Sequence, residues 1–189
     1  VPATTAVRIT DAALEVLGTG GIHALSHARV DATAGLPPGS TSNYFRTRAA
    51  LVSAAVDRLR HRDAEALEAL VAAGPVTSLS QLTDAFTAFV EDATGPSRVR
   101  TVARYVVFVQ GVVEPALLTA LNADRRKVVD WTAESLSALG LEAGIAPLTL
   151  AAVEGLIMHR LTGFATEPAG PQVAALLRGL SGTPEVLRS

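Results

Sequence analysis

The sequence predicts an all-α protein of about nine helices. Three observations carry the prediction. Apolar residues recur at three- and four-residue spacing in nearly every segment of the 189-residue chain. No segment alternates convincingly at period two. Gly, Pro and small polar residues punctuate the chain at helix-length intervals. Hydrophobic residues make up 49% of it, enough for a packed core rather than a disordered chain. The organisation expected is an N-terminal three-helix domain over residues 1–48 and a larger helical domain over 49–189.

The elements follow in order. Ile9, Ala12, Ala13, Val16 and Leu17 form the stripe of a first helix, which the cluster Gly18 to Gly21 is expected to stop. Ser26 caps a second helix with Val30 and Ala34 facing inward, and Gly35 ends it. A short third helix is expected over Pro38 to Phe45. Thr47 caps a long fourth helix through Leu51, Val52, Ala55, Leu59 and, further on, Leu67 and Leu70. After the break at "AAGPVTS", Leu82, Phe86, Phe89 and Val90 mark a fifth. Val99 to Val113 is apolar on almost every side, the pattern of a buried central helix. A seventh helix runs through Leu117, Leu121, Val128, Trp131 and Leu139. Two more carry Leu150, Val153, Leu156, Ile157, Leu161 and Phe164, then Val173, Leu176, Leu177 and Leu180.

The stretch "GLPPGSTSNYF" (Gly35 to Phe45) is the most distinctive. A helix, a Gly turn and a short helix have the spacing of a helix-turn-helix. Leu36 plugs the turn into the core. Pro38 suits the first helical position, where its missing N–H costs nothing. Gly39, Ser40 and Ser42 are small enough to let a helix axis approach a base edge or phosphate. Ser40, Ser42 and Asn43 offer hydrogen-bonding groups to bases and phosphates. Tyr44 suits a phosphate contact, Phe45 anchors the helix, and Arg48 opens the next helix toward a nucleic-acid backbone. A polar surface loop before a long helix is the plainer alternative.

From Arg8 to Val52 the chain reads "RITDAALEVLGTGGIHALSHARVDATAGLPPGSTSNYFRTRAALV". As a combination it resembles the DNA-binding domain of the tetracycline-repressor (TetR) family of transcriptional regulators. It departs from the family pattern at four places. Asp31 replaces a usual Ala, an acid expected on the solvent side of helix two. Pro37 replaces a capping Ser or Thr, so the cap of helix three has to come from elsewhere. Ser42 replaces a common Tyr, and Arg48 a Lys. The resemblance implies a homodimer on a double-stranded DNA operator, one recognition helix per major groove, with half-sites about one helical turn or more apart. It also implies that His27 and Arg29 lie near phosphates.

For the remainder the resemblance implies a small-molecule effector and a dimer interface. Ala152, Gly155, His159 and Gly163 fall on one face beside Leu156 and would allow close helix packing. Val173, Leu176, Leu177 and Leu180 add a stripe, giving a four-helix bundle from two subunits; packing within one subunit is the alternative. For the effector, Phe86, Phe89, Tyr105, Phe108 and Trp131 supply aromatic walls, and Arg104, Gln110, Asn122 and His159 polar groups. Each aromatic read alone is equally core filler.

Charge agrees with this division. Residues 1–60 hold six arginines against four acids, while the remainder holds ten basic residues against fourteen acids. There is no Cys, so disulfides and thiolate metal sites are excluded and a reducing, cytoplasmic setting is expected. No apolar run of membrane-spanning length occurs, and "VPATTAVRIT" lacks the pattern of a secretory signal. The four histidines (23, 27, 61, 159) are scattered, and "GTGG" follows no strand, so neither a metal, a cofactor nor a catalytic site is expected. The competing functional reading is an all-helical small-molecule-binding or enzymatic domain whose N-terminal helices are only structural.

Overall fold

The computed structural model describes residues 3–181. Among the described residues there are nine α-helices and no strand. They are α1 (Thr5–Gly20), α2 (His27–Ala34), α3 (Ser40–Tyr44), α4 (Arg48–Ala72), α5 (Leu79–Thr94), α6 (Arg98–Val113), α7 (Ala116–Ala138), α8 (Ala146–Leu161) and α9 (Ala169–Ser181). Short 3₁₀ turns stand at Ile22–Ala24 and Ala143–Ile145.

The chain packs as two compact units. One combines residues 3–66 with 97–124, the other 67–96 with 125–181, so the chain passes between them inside α4, between α5 and α6, and inside α7. The first unit has one core. Ile9, Ala13 and Leu17 of α1 meet Leu25, Val30, Leu51, Ala55 and Leu59, and α6 adds Ala103 and Val107, all almost fully buried. Burying each large aliphatic side chain contributes about 1.5–3 kcal/mol. The sequence stripes of helices one and two, and that of helix four as far as Leu59, point into this core; Leu67 and Leu70 belong to the second unit.

Charge ties the same unit together. Arg58 on α4 grips Asp11 on α1 with two bonds, Nε to Oδ1 at 2.6 Å and Nη2 to Oδ2 at 2.9 Å. Arg60 binds Asp124 at 2.7 Å, and Arg104 on α6 pairs with Asp63 on α4.

The Gly cluster stops α1 as expected: the helix ends at Gly20, and Gly21 (φ 74°, ψ −177°) caps it. Gly18 is also needed for packing, because α6 passes so close that a Cβ there would collide with the backbone of Val99. One expectation needs correction: α6 is not buried on every side. Val109, Val112 and Val113 are 72–78% exposed, while Thr101, Ala103, Val107 and Gly111 face inward. An apolar composition sets no direction; the neighbouring α1 does.

In the second unit α5 packs on α8 and α9. Leu82, Phe86 and Val90 of α5, Val153 and Ile157 of α8, and Val173 and Leu177 of α9 are almost fully buried. Glu91 of α5 joins all three helices: one oxygen binds Arg160 of α8 at 3.1 Å, and the other accepts the first N–H of α9, from Ala169, at 3.3 Å. Arg160 also donates to the Glu167 carbonyl.

Candidate functional site

The helix-turn-helix is assembled from backbone requirements. Ser26 caps α2 by accepting the Arg29 N–H at 3.3 Å. Gly35 ends α2 in the left-handed region, φ 61° and ψ 39°, which glycine adopts without steric cost. Arg8 reaches across from α1 to the Ala34 carbonyl at 2.8 Å, so the C-terminal end of α2 carries a cation.

The third helix is shorter than expected. It begins at Ser40, not Pro38, because Gly39 (φ 90°) turns the chain left-handed just before it. Pro37 and Pro38 thus form the approach. Gly39 provides no side-chain cap, and the missing cap comes from α2. Asp31, expected at the solvent side, is 3% exposed. Its carboxylate accepts the Gly39 N–H at 2.8 Å, the Thr41 N–H at 2.7 Å and the Thr41 hydroxyl at 2.5 Å. Burial alone would push this carboxyl up. The bonds from Thr41 and Gly39, together with nearby His27, outweigh that and hold it below its ordinary value of 3.8. A buried acid is tolerable here because three donors converge on it. Sequence reading recognised that Pro37 removes a cap and that Asp31 is unusual, but did not join the two.

Thr41 is fully buried and Phe45 half-buried, so α3 turns this side inward. Gly39, Ser42, Asn43 and Tyr44 are exposed, Tyr44 by 53%. Ser40 is half-buried; its hydroxyl donates to Pro37 and that of Ser42 to Gly39. Arg29 is exposed on α2. His27 is half-buried with Nε2 2.6 Å from the Phe45 carbonyl, so that nitrogen donates inside the motif. Arg48 is also engaged internally: Nε donates to Leu25 O at 3.2 Å and Nη2 to Ile22 O at 2.5 Å. It fastens α4 to the 3₁₀ turn, and Thr47 caps that helix through the Ala50 N–H. Arg46, passed over in the sequence reading, is exposed in the same connection, as Arg48 is. "FRTR" holds both arginines two apart, and no spacing rule tells which one bonds back to the motif.

The expected effector residues divide between the units. In the first, Arg104 is paired with Asp63, Tyr105 meets Phe108 edge-on at 6.4 Å, and Asn122 is half-buried. Gln110 donates to Glu114 and lines a cavity of about 210 Å³ with Ile22, Arg48, Ala49, Val52 and Leu117. In the second, buried Phe86 packs edge-on to Trp131 at 6.1 Å, and Phe89 is 36% exposed.

The proposed dimer stripe also separates. Val173 and Leu177 are fully buried against α5 and face the subunit's own core, a correction of their expected role. Leu176 and Leu180 are half-buried, as are Ala152, Gly155 and Leu156. A Cβ on Gly155 would meet nothing within 4 Å. His159 is exposed and stacks edge-on with Phe164 at 4.8 Å. Gly163 does not continue the helical face: α8 ends at Leu161, and Gly163 (φ 75°) is the left-handed residue beyond it. Among the described residues no three His, Asp or Glu side chains are placed to hold a metal, and no helix is long and apolar enough to cross a membrane.

A helix-turn-helix with an outward-facing recognition helix, joined to a further all-helical unit, defines a DNA-binding regulator. Comparison with known proteins gives the family. Residues 9–55 match the "Bacterial regulatory proteins, tetR family" domain, and residues 77–183 match the "Tetracyclin repressor-like, C-terminal domain". Similar solved structures include a TetR-family member from Streptomyces coelicolor A3, 26% identical, covering 93% of this chain and 97% of that one at a TM-score of 0.71. The multidrug binding protein EbrR complexed with ethidium is 25% identical, with coverage of 94% and 99% and a TM-score of 0.68. A TetR-like regulator from Rhodococcus sp. RHA1 shares the fold at 23% identity, with coverage of 97% and 100% and a TM-score of 0.74. No curated protein matches the chain. The chain belongs to the TetR family, and it is a ligand-responsive DNA-binding transcriptional regulator.

Proposed function

We propose that the protein is a repressor that binds its operator as a homodimer and leaves it when a small organic molecule binds. The observation that carries the reading is the split of α3: Thr41 is sealed inward while Ser42, Asn43 and Tyr44 stand exposed on the helix that a helix-turn-helix places in the major groove. Residues 1–48 make the DNA contacts. Ser42 and Asn43 address base edges, Tyr44, Arg29 and Arg46 address phosphates, and Gly39 and Pro38 let the backbone approach. Residues 49–189 bind the effector and dimerise, with Gly155, Leu156, Leu176 and Leu180 at the interface. Because EbrR is seen with ethidium, proflavin and imidazole, flat aromatic cations are the first effectors to test, with Phe86 and Trp131 as stacking surfaces. The effector acts by favouring a dimer whose recognition helices no longer match the groove spacing. No catalytic group enters this reading, and the site of action is the cytoplasm, with the DNA.

Fluorescence anisotropy on duplexes flanking the gene, across a salt series, tests it. Saturable selective binding that weakens with salt, is lost in Asn43→Ala/Tyr44→Ala and is reversed by an aromatic cation is the expected result. Binding of equal strength on every duplex, indifferent to that double substitution, would reject it.

A further inference from the structure

The recognition helix is five residues long, too short to persist by itself. Its own sequence provides little to hold it: Gly39 has no capping side chain, and Pro37 and Pro38 carry no N–H. Both ends are held from outside, by two side chains one turn apart on α2. Asp31 accepts the N–H groups of Gly39 and Thr41 at the N-terminal end. His27 Nε2 lies 2.6 Å from the Phe45 carbonyl at the C-terminal end. A carbonyl only accepts, so this nitrogen donates. An anion at the first end and a donor at the last both match the direction of the helix dipole.

Backbone bonds alone would fix where α3 starts and stops. The third bond to Asp31, from the Thr41 hydroxyl, fixes how α3 is rotated about its axis. Each residue advances about 100° around a helix. With Thr41 held against α2, Ser42 and Asn43 are turned away from it, and both are exposed. The hydroxyl bond is the side-chain anchor of that phase, added to the backbone bonds at the two ends.

We infer that Asp31, Thr41 and His27 are positioning residues that set operator selectivity without touching DNA, by fixing the rotation and ends of α3. The inference rests on the reading of the chain as a sequence-specific regulator. Base readout by Ser42 and Asn43 depends on helix phase, whereas phosphate contacts from flexible arginines tolerate a small rotation. Loss of the Asp31–Thr41 bond therefore removes selectivity and leaves general DNA affinity in place.

The test uses a duplex selected from a random pool by the full-length protein, beside a scrambled duplex of equal length. Thr41→Val removes the hydroxyl at nearly constant shape, Thr41→Ser restores a hydroxyl, and His27→Ala frees the other end. Thr41→Val is expected to weaken binding to the selected duplex at least tenfold, with scrambled-duplex affinity and the salt slope unchanged. Thr41→Ser is expected to recover most of the loss, and His27→Ala to show a smaller loss of the same kind. Selective binding undiminished in Thr41→Val, or affinity falling equally on both duplexes, overturns the inference alone. Should Thr41→Val fail to fold, undiminished selectivity in His27→Ala overturns it and a selective loss there supports it. A wild-type protein that selects no duplex overturns the regulator reading itself, and the inference with it.

Discussion

Gly18 of α1 lies directly under the backbone of Val99 in α6: the space a Cβ would need is taken by the Val99 carbonyl oxygen. The two helices touch along much of their length, and this contact sets how closely they approach. Gly18→Ala ought to add helix propensity worth about 1 kcal/mol. The clash reverses the sign, because a backbone atom cannot rotate aside. Overpacking of this kind costs about 1–3 kcal/mol, and urea unfolding is expected to show a net loss of that size. A stabilised Gly18→Ala would show that α6 does not pack as described.

Arg48 holds the carbonyls of Leu25 and Ile22 with two different nitrogens. Lysine has one point charge and cannot span both. Arg48→Lys is expected to lower stability by about 1 kcal/mol, the worth of a typical hydrogen bond, and to increase hydrogen exchange in the 3₁₀ turn. Equal exchange in both proteins would argue that the grip is not maintained in solution.

The Arg58–Asp11 pair connects α4 to α1 by two parallel bonds. Double-mutant cycles with Arg58→Ala and Asp11→Ala are expected to give a coupling of about 1 kcal/mol, at the upper end for partly exposed pairs because the geometry is bidentate. Since Asp11 is 39% exposed, the coupling is expected to shrink with added salt. A coupling of zero at low salt would contradict the geometry.

Acid gives a separate handle on Asp31. Its folded carboxyl lies below the ordinary 3.8, so its charged form stabilises the fold. That contribution is present in full above that ordinary value and disappears as pH falls through the lower folded value. The stability gap between wild type and Asp31→Asn is therefore expected to be widest near neutral pH and to close below about pH 4. Urea midpoints measured from pH 7 downward would show it. A gap that widens in acid would mean the carboxyl is raised instead.

Much of the fold was readable from short-range chemistry. Ser26 and Thr47 each cap the helix that follows, and Gly35 ends α2, because these depend on a residue and its immediate neighbours. What was not readable depends on a partner distant in sequence. Gly18 looks like no more than part of a stop signal until Val99 is placed on it. Asp31 looks like a surface acid until Gly39 and Thr41 fold back to it. Val173 and Leu177 look like one stripe with Leu176 and Leu180, yet the α5 core takes only the first pair. Val109, Val112 and Val113 look like core residues and are exposed. For the same reason the sequence named aromatic residues for the effector but could not group them: Tyr105 and Phe108 belong to one unit, Phe86 and Trp131 to the other.

Glu91 makes the second unit mechanically brittle at one atom group. Its two oxygens serve α8 and α9 at once, so whatever displaces Glu91 loosens both helices together. Slow-exchanging amides near the start of α9 and those beside Arg160 in α8 are then expected to open in the same event, at a common rate, and Glu91→Gln to raise that rate in both places together.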